Sequence, residues 1–138
     1  MEKRNPTWSG AMPTESQEQQ WLMAWAKLES ARRPELQLLY HIPNEGHRSR
    51  ATGARMRAEG LKRGVPDLCL PVPRGGYHGL YIELKRRSGG RVSDDQRGWI
   101  EALARMGYRA EICQGWQAAA EMIGKYLKGS AKGATSDS

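Results

Sequence analysis

Asp67, Glu83 and Lys85 are the residues whose types and spacing can do chemistry. They lie in two runs, Gly64-Val65-Pro66-Asp67-Leu68-Cys69-Leu70 and Leu80-Tyr81-Ile82-Glu83-Leu84-Lys85. The second run alternates, with Ile82 and Leu84 on one face of a strand and Tyr81, Glu83 and Lys85 on the other. A carboxylate and an ammonium then stand side by side, with the core behind them. In the first run Leu68, Leu70 and Val72 alternate with Asp67, Cys69 and Pro71. Pro66 has no N–H and suits the first position of a strand, which puts Asp67 at the strand entrance. Pro71, Pro73, Gly75 and Gly76 supply a turn, so a hairpin-like pairing brings both acids to one spot.

Paired carboxylates at strand ends suit a hard divalent cation such as Mg²⁺. Such an ion takes oxygen ligands and leaves positions for water and substrate phosphate. A charged lysine beside it is no ligand, but it can orient a water or stabilise charge building on a phosphate. The combination fits metal-assisted phosphodiester hydrolysis. The bland reading is a solvated strand face, with a surface ion pair worth under ~1 kcal/mol. Against it stand the one-sided apolar pattern of both runs and the basic character of the chain.

Several elements must position these residues. A helix is predicted over 14–31, capped by Thr14 with Gln17 as its capping-box partner. Trp21, Leu22, Trp25 and Leu28 form its apolar stripe and are expected in the core. Glu15 and Glu18 lie in its first turn, and either can face the acidic pair. Pro34 ends the helix, a strand is predicted over 36–42, and Pro43-Asn44-Glu45-Gly46 turns the chain. His41, Asn44 and His47 are candidates for the cleft lining.

A short helix over 48–60 carries Arg48, Arg50, Arg55 and Arg57, and Lys62 and Arg63 follow. Arginines here would hold phosphates without reading sequence. Arg86 and Arg87 sit in a basic, glycine-containing loop after the second run. Ser93 and Gln96 form a second capping box, opening a helix with Trp99, Ile100, Leu103 and Met106 on its apolar face. A strand is predicted over 107–113 and an amphipathic helix over 116–127. Residues 1–13 read as a flexible polar tail and 129–138 as a disordered one, leaving one domain over 14–128.

The chain has 138 residues, a net charge of +7 and a pI of about 9.7. The charge favours a polyanionic partner, and a basic face would steer nucleic acid toward the site. Cys69 and Cys113 fall inside predicted strands and read as buried thiols, not as a disulfide or zinc site. No C-x-x-C occurs, no apolar run is long enough to span a membrane, and the N-terminus has no apolar core. A cytoplasmic protein is the expectation.

Taken together, GVPDL, YIELK and Ser93-x-x-Gln96 resemble the VRR-NUC domain of the PD-(D/E)xK nuclease superfamily, its stand-alone phage type above all. The resemblance covers roughly residues 14–127. It extends to Ile42-Pro43-Asn44, Ala58-Glu59-Gly60 and Gly107-Tyr108.

The resemblance implies a restriction-endonuclease-like fold with an αβββαβ core, where periodicity alone gives only an α/β mixed sheet flanked by helices. It implies an Mg²⁺- or Mn²⁺-dependent deoxyribonuclease acting on branched or junction DNA. The metal would lie on Asp67, Glu83, the Leu84 backbone carbonyl and a glutamate of the first helix. Glu15, followed by Gln19, matches the family's E-x-x-x-Q pattern better than Glu18. Lys85 would act on the attacking water, Gln96 would support the cluster, and Asn44 would lie close to it. A domain with one site must dimerise or act twice to cut both strands, so a homodimer is expected. The rival readings are a non-catalytic basic nucleic-acid-binding module and a small interaction protein that is basic by chance.

Overall fold

Thr14 begins the ordered architecture. Its hydroxyl accepts the Gln17 N–H at 3.1 Å, and the Gln17 side chain accepts the Thr14 N–H at 2.9 Å. This capping box opens helix α1, Glu15–Glu29. The computed structural model describes residues 11–44 and 49–130. Of the tails expected at 1–13 and 129–138, residues 1–10 and 131–138 lie outside the described residues, as do His47 and Arg48.

The buried line of α1 is Glu18, Leu22 and Ala26, four residues apart. Of the expected stripe of Trp21, Leu22, Trp25 and Leu28, Leu22 is in the core, and Trp21 and Leu28 are corrected. Trp25 is half-buried, but Trp21 is exposed and Leu28 is 79% exposed. A helix turns only one stripe to a core, and a carboxylate that finds partners inside, as Glu18 does, selects which one.

The strand expected over 36–42 is also corrected. Pro34–Leu38 forms a 3-10 turn, and only Tyr40–His41 (β1) is extended. Proline at the first turn presets φ for a helical start. Leu36 and Leu39 are both buried, a three-residue spacing that suits this turn and not a strand.

Helix α2, Arg50–Ala58, follows, capped by Ser49. Then come β2, Leu68–Leu70, and β3, Leu80–Lys85, paired antiparallel with Leu68 opposite Ile82 and Cys69 opposite Tyr81. Helix α3, Asp94–Arg105, crosses over to β4, Arg109–Gln114, which runs parallel to β3. Helix α4, Trp116–Leu127, ends the fold. The sheet order is β1-β2-β3-β4, a mixed four-stranded sheet with four helices among the described residues.

Leu22 and Ala26 of α1, Leu68, Leu70, Leu80, Ile82 and Leu84 of the sheet, and Ala119 and Ile123 of α4 form one core. Fully burying each of the larger side chains is worth ~2 kcal/mol. The Tyr126 hydroxyl ties α4 to the β2–β3 connection through the Val72 carbonyl at 2.6 Å. Cys69 and Cys113 are buried free thiols, as expected. No helix among the described residues is long and apolar enough to cross a membrane.

Gly64 brings α3 close to the strand carrying Asp67. Its φ is +88°, and an added Cβ would lie 2.6 Å from the Asp95 backbone carbon. Gly64→Ala therefore strains the turn and pushes away the start of α3, where Gln96 sits. We expect a loss of about 2 kcal/mol or more in chemical denaturation. An unchanged midpoint would contradict this packing.

Candidate active site

The register of the hairpin sets the site. Continuing the β2–β3 pairing past Leu68 and Ile82 carries Asp67 alongside the end of β3. There its Oδ2 accepts the Leu84 N–H at 2.8 Å. The Asp67 carbonyl accepts the Ile42 N–H at 2.7 Å and lies 3.1 Å from His41 Nδ1, so β1 braces the same point. Glu83 points away from the leucine core by alternation, yet it is only 2% exposed, and Lys85 is 5% exposed. This is no solvated strand face.

Glu83 Oε2 accepts a hydrogen bond from Gln96 Nε2 at 2.9 Å and lies 3.4 Å from Lys85 Nζ. Gln96 serves two ends at once. Its Oε1 accepts the Ser93 N–H at 2.9 Å while its amide nitrogen reaches Glu83. Lys85 Nζ also lies 4.0 Å from Glu15, whose side chain is 47% exposed. Glu15, Ser16 and Gln19 of α1, His41, Asn44, Asp67 and Leu84 line one cleft of roughly 220 Å³.

The electrostatics of this cluster are unfavourable to its own carboxylates. Burial pushes Glu83 from its ordinary 4.5 up to about 8, the neighbouring Asp67 charge adds to this, and Lys85 opposes it. Burial also raises Asp67, against the Leu84 amide and with the help of Glu15. Glu83 Oε1 is buried with no hydrogen-bond partner.

An orphaned carboxylate oxygen among crowded acids calls for a cation. Hard oxygen donors suit Mg²⁺ or Mn²⁺. Among the described residues no group of three or more Asp, Glu, His or Cys side chains is placed to hold a metal ion. An Mg²⁺ site does not require that, since one or two carboxylates, waters and phosphate complete it.

The VRR-NUC domain model matches residues 12–117. The chain belongs to the VRR-NUC family. It is also similar to a solved structure described as a VRR_NUC domain protein, with 32% identity, a TM-score of 0.74, and coverage of 86% of this chain and 91% of that one. No curated protein matches significantly. The family is one of nucleases, and the α/β mixed sheet is its fold.

Within this VRR-NUC domain the two first-helix glutamates separate cleanly. Glu15 lines the cleft. Glu18 is 0% exposed and accepts hydrogen bonds from Arg87 Nε at 2.7 Å, Arg87 Nη2 at 3.1 Å and the Trp116 N–H at 3.0 Å. Burial alone would raise Glu18, but the Arg87 and Trp116 bonds outweigh it and hold its carboxyl below the ordinary range.

Arg87, expected on nucleic acid, has its guanidinium on Glu18 and so joins the loop after β3 to α1. Arg86 is half-buried, with a buried Nε that has no hydrogen-bond partner. Arg50, Arg55, Lys62 and Arg63 are exposed, Arg55 with a loose ion pair to Glu59 at 3.8 Å. Asn44 is in the cleft, and Arg48 is outside the described residues. Ser16 was missed as a cleft residue; its position beside Glu15 in the first turn of α1 was the available signal.

Proposed function

We propose that this VRR-NUC protein is a Mg²⁺- or Mn²⁺-dependent DNA endonuclease that prefers branched or four-way-junction DNA and works as a homodimer. The observation that carries the reading is the buried Glu83 side chain, with one oxygen unpartnered, next to Lys85 and to Asp67, which lines the cleft. A binding module has no use for such a cluster, because a buried and incompletely partnered carboxylate costs stability.

Asp67, Glu83 and the Leu84 carbonyl would hold the metal, with Glu15 joining directly or through water. Bound there, the cation supplies Lewis-acid polarisation of the scissile phosphate and activation of a water. Lys85, fixed by Glu83 and Glu15, orients the attacking water and meets the charge that develops on the phosphate oxygens. Gln96 holds the Glu83 carboxylate in place through Oε2, and Oε1 would be the oxygen left to bind the ion. Asn44, Arg50, Arg55, Lys62 and Arg63 position the backbone, with Arg86 beside the cleft strand.

Burial pushes the Glu83 carboxyl up to about 8, so below that pH metal binding would displace a proton. Apparent Mn²⁺ affinity should rise about tenfold per pH unit from 6 to 8 and then level off. Calorimetry in two buffers of different ionisation enthalpy reads this as proton release. Affinity independent of pH in that window would contradict Glu83 as a ligand.

The direct test of function is cleavage of labelled duplex, single-stranded and four-way-junction DNA with Mg²⁺, Mn²⁺ or EDTA. Cutting only with metal, fastest on the junction, supports the reading. Salt-sensitive binding to all three with no cutting would favour the binding module.

A further inference from the structure

A second hollow lies beside the acidic cleft. Its apolar wall is Ile42, Pro43, Met56, Leu61, Val65 and Trp99, and its volume is roughly 540 Å³. That falls within the range of about 300–1,000 Å³ usual for small-ligand sites. Ile42 is only half-buried, and so are Met56, Leu61, Val65 and Trp99. The last four come from α2, the turn after it, the segment before β2, and α3, elements that converge here without filling the space. Trp99 is anchored at the wall because its indole N–H donates to the Arg63 carbonyl at 3.1 Å.

The hollow and the cleft share their chain segments. Pro43 precedes Asn44, which lines the cleft, and Val65 stands two residues before Asp67. Two residues of extended backbone reach at most about 7 Å. The Ile42 N–H to Asp67 carbonyl bond fixes one wall to the other. The rim is cationic. Lys62 lines it and Arg63 is exposed at the Trp99 anchor; Glu59 is the acid on the wall, with Arg55 at 3.8 Å from it.

We infer that this hollow receives one unpaired nucleobase of the strand whose phosphate occupies the neighbouring cleft. An apolar, partly aromatic wall suits the faces and edge of a base, and the Lys62 and Arg63 side chains beside it suit its flanking phosphates. A base stacked and paired in a continuous duplex cannot enter a side hollow without being extruded. An already unpaired base at a branch, flap or mismatch enters at little cost. The hollow thus gives a physical source for branch preference. This inference rests on the nuclease reading for its orientation, because the cleft is taken to hold the phosphate.

The test is done in EDTA, so that binding is separated from cutting. Short single-stranded DNAs, each with one base replaced by an abasic analogue at successive positions, are titrated against the wild type, Trp99→Ala and Met56→Glu. The wild type should lose about tenfold in affinity when one particular base is absent. Met56→Glu, which places a charge in the hollow, should erase that dependence while still binding the abasic strand. Trp99→Ala should do the same if circular dichroism shows it folded; Met56→Glu carries the test if it is not.

Equal affinity of the wild type for intact and abasic strands at every position overturns the inference. So does a Met56→Glu variant that changes the sedimentation coefficient without changing base dependence, which would make the hollow a seat for a second copy of the chain. Base dependence without any metal-dependent cutting by the wild type would leave the hollow standing and remove the nuclease reading instead.

Discussion

Lys85→Ala should lower the cleavage rate about 10²–10³-fold while the protein stays folded, because it removes the cation facing the developing phosphate charge. The side chain is 5% exposed and is held between Glu83 at 3.4 Å and Glu15 at 4.0 Å, so its ammonium is fixed before substrate arrives. Removing it takes away a positive neighbour that opposes the upward push on Glu83. The pH at which the variant reaches its residual activity should therefore move upward. Gln96→Ala is the milder companion. It frees Glu83 Oε2 from its 2.9 Å bond and should cost about 10–100-fold. Single-turnover rates on one labelled DNA, with circular dichroism as the check on folding, measure both. Full activity in Lys85→Ala would remove it from the chemistry.

Glu18→Ala should destabilise the protein by about 3 kcal/mol, the low end for breaking a buried ion pair. The low end applies because the Arg87 side chain is about one-fifth exposed. The change takes the Glu18 carboxylate from Arg87 and leaves the Trp116 N–H at the start of α4 without this acceptor. Urea denaturation reads the loss directly.

The pH dependence follows from the depressed Glu18 carboxyl. The unfolded chain takes up a proton at its ordinary value of 4.5, before the native state does. The stabilisation is therefore present above that pH and is lost as pH falls through the native value. Glu18→Gln should flatten this acid limb. An unaltered acid limb would mean that the ion pair contributes nothing to stability. Because Glu18 sits one turn from Glu15 and grips Arg87, two residues past Lys85, loosening it should also reduce cleavage without touching substrate.

Much of this arrangement was legible before any coordinates. The alternation in Leu80–Lys85 and the proline before Asp67 led to the hairpin. Thr14 with Gln17, and Ser93 with Gln96, led to both helix starts, since a capping box is a local signal that tertiary packing rarely overrides.

Other features turned on contacts that the sequence does not display. Trp21, Trp25 and Leu28 have helical spacing, but the buried line runs through Glu18, because Arg87 and Trp116, distant in sequence, satisfy its carboxylate. For the same reason Arg87 read as a phosphate ligand. The 3-10 turn at Pro34–Leu38 replaced a predicted strand because leucines at 36, 38 and 39 fit either period. Glu15 and Glu18 share a helix face in sequence terms, and only the third dimension sends one to the cleft and the other inward.

The central claim is that Asp67 and Glu83 hold a divalent cation for phosphodiester cleavage. The measurement that tests it most directly is the cleavage rate of labelled four-way-junction DNA as Mn²⁺ is raised from EDTA-treated zero, for wild type and Asp67→Asn side by side. The prediction is a rate that starts at zero and saturates with Mn²⁺ in the wild type, and no cutting by the variant at any concentration that saturates the wild type. Cutting in EDTA, or an Asp67→Asn curve that superimposes on the wild type, would contradict it.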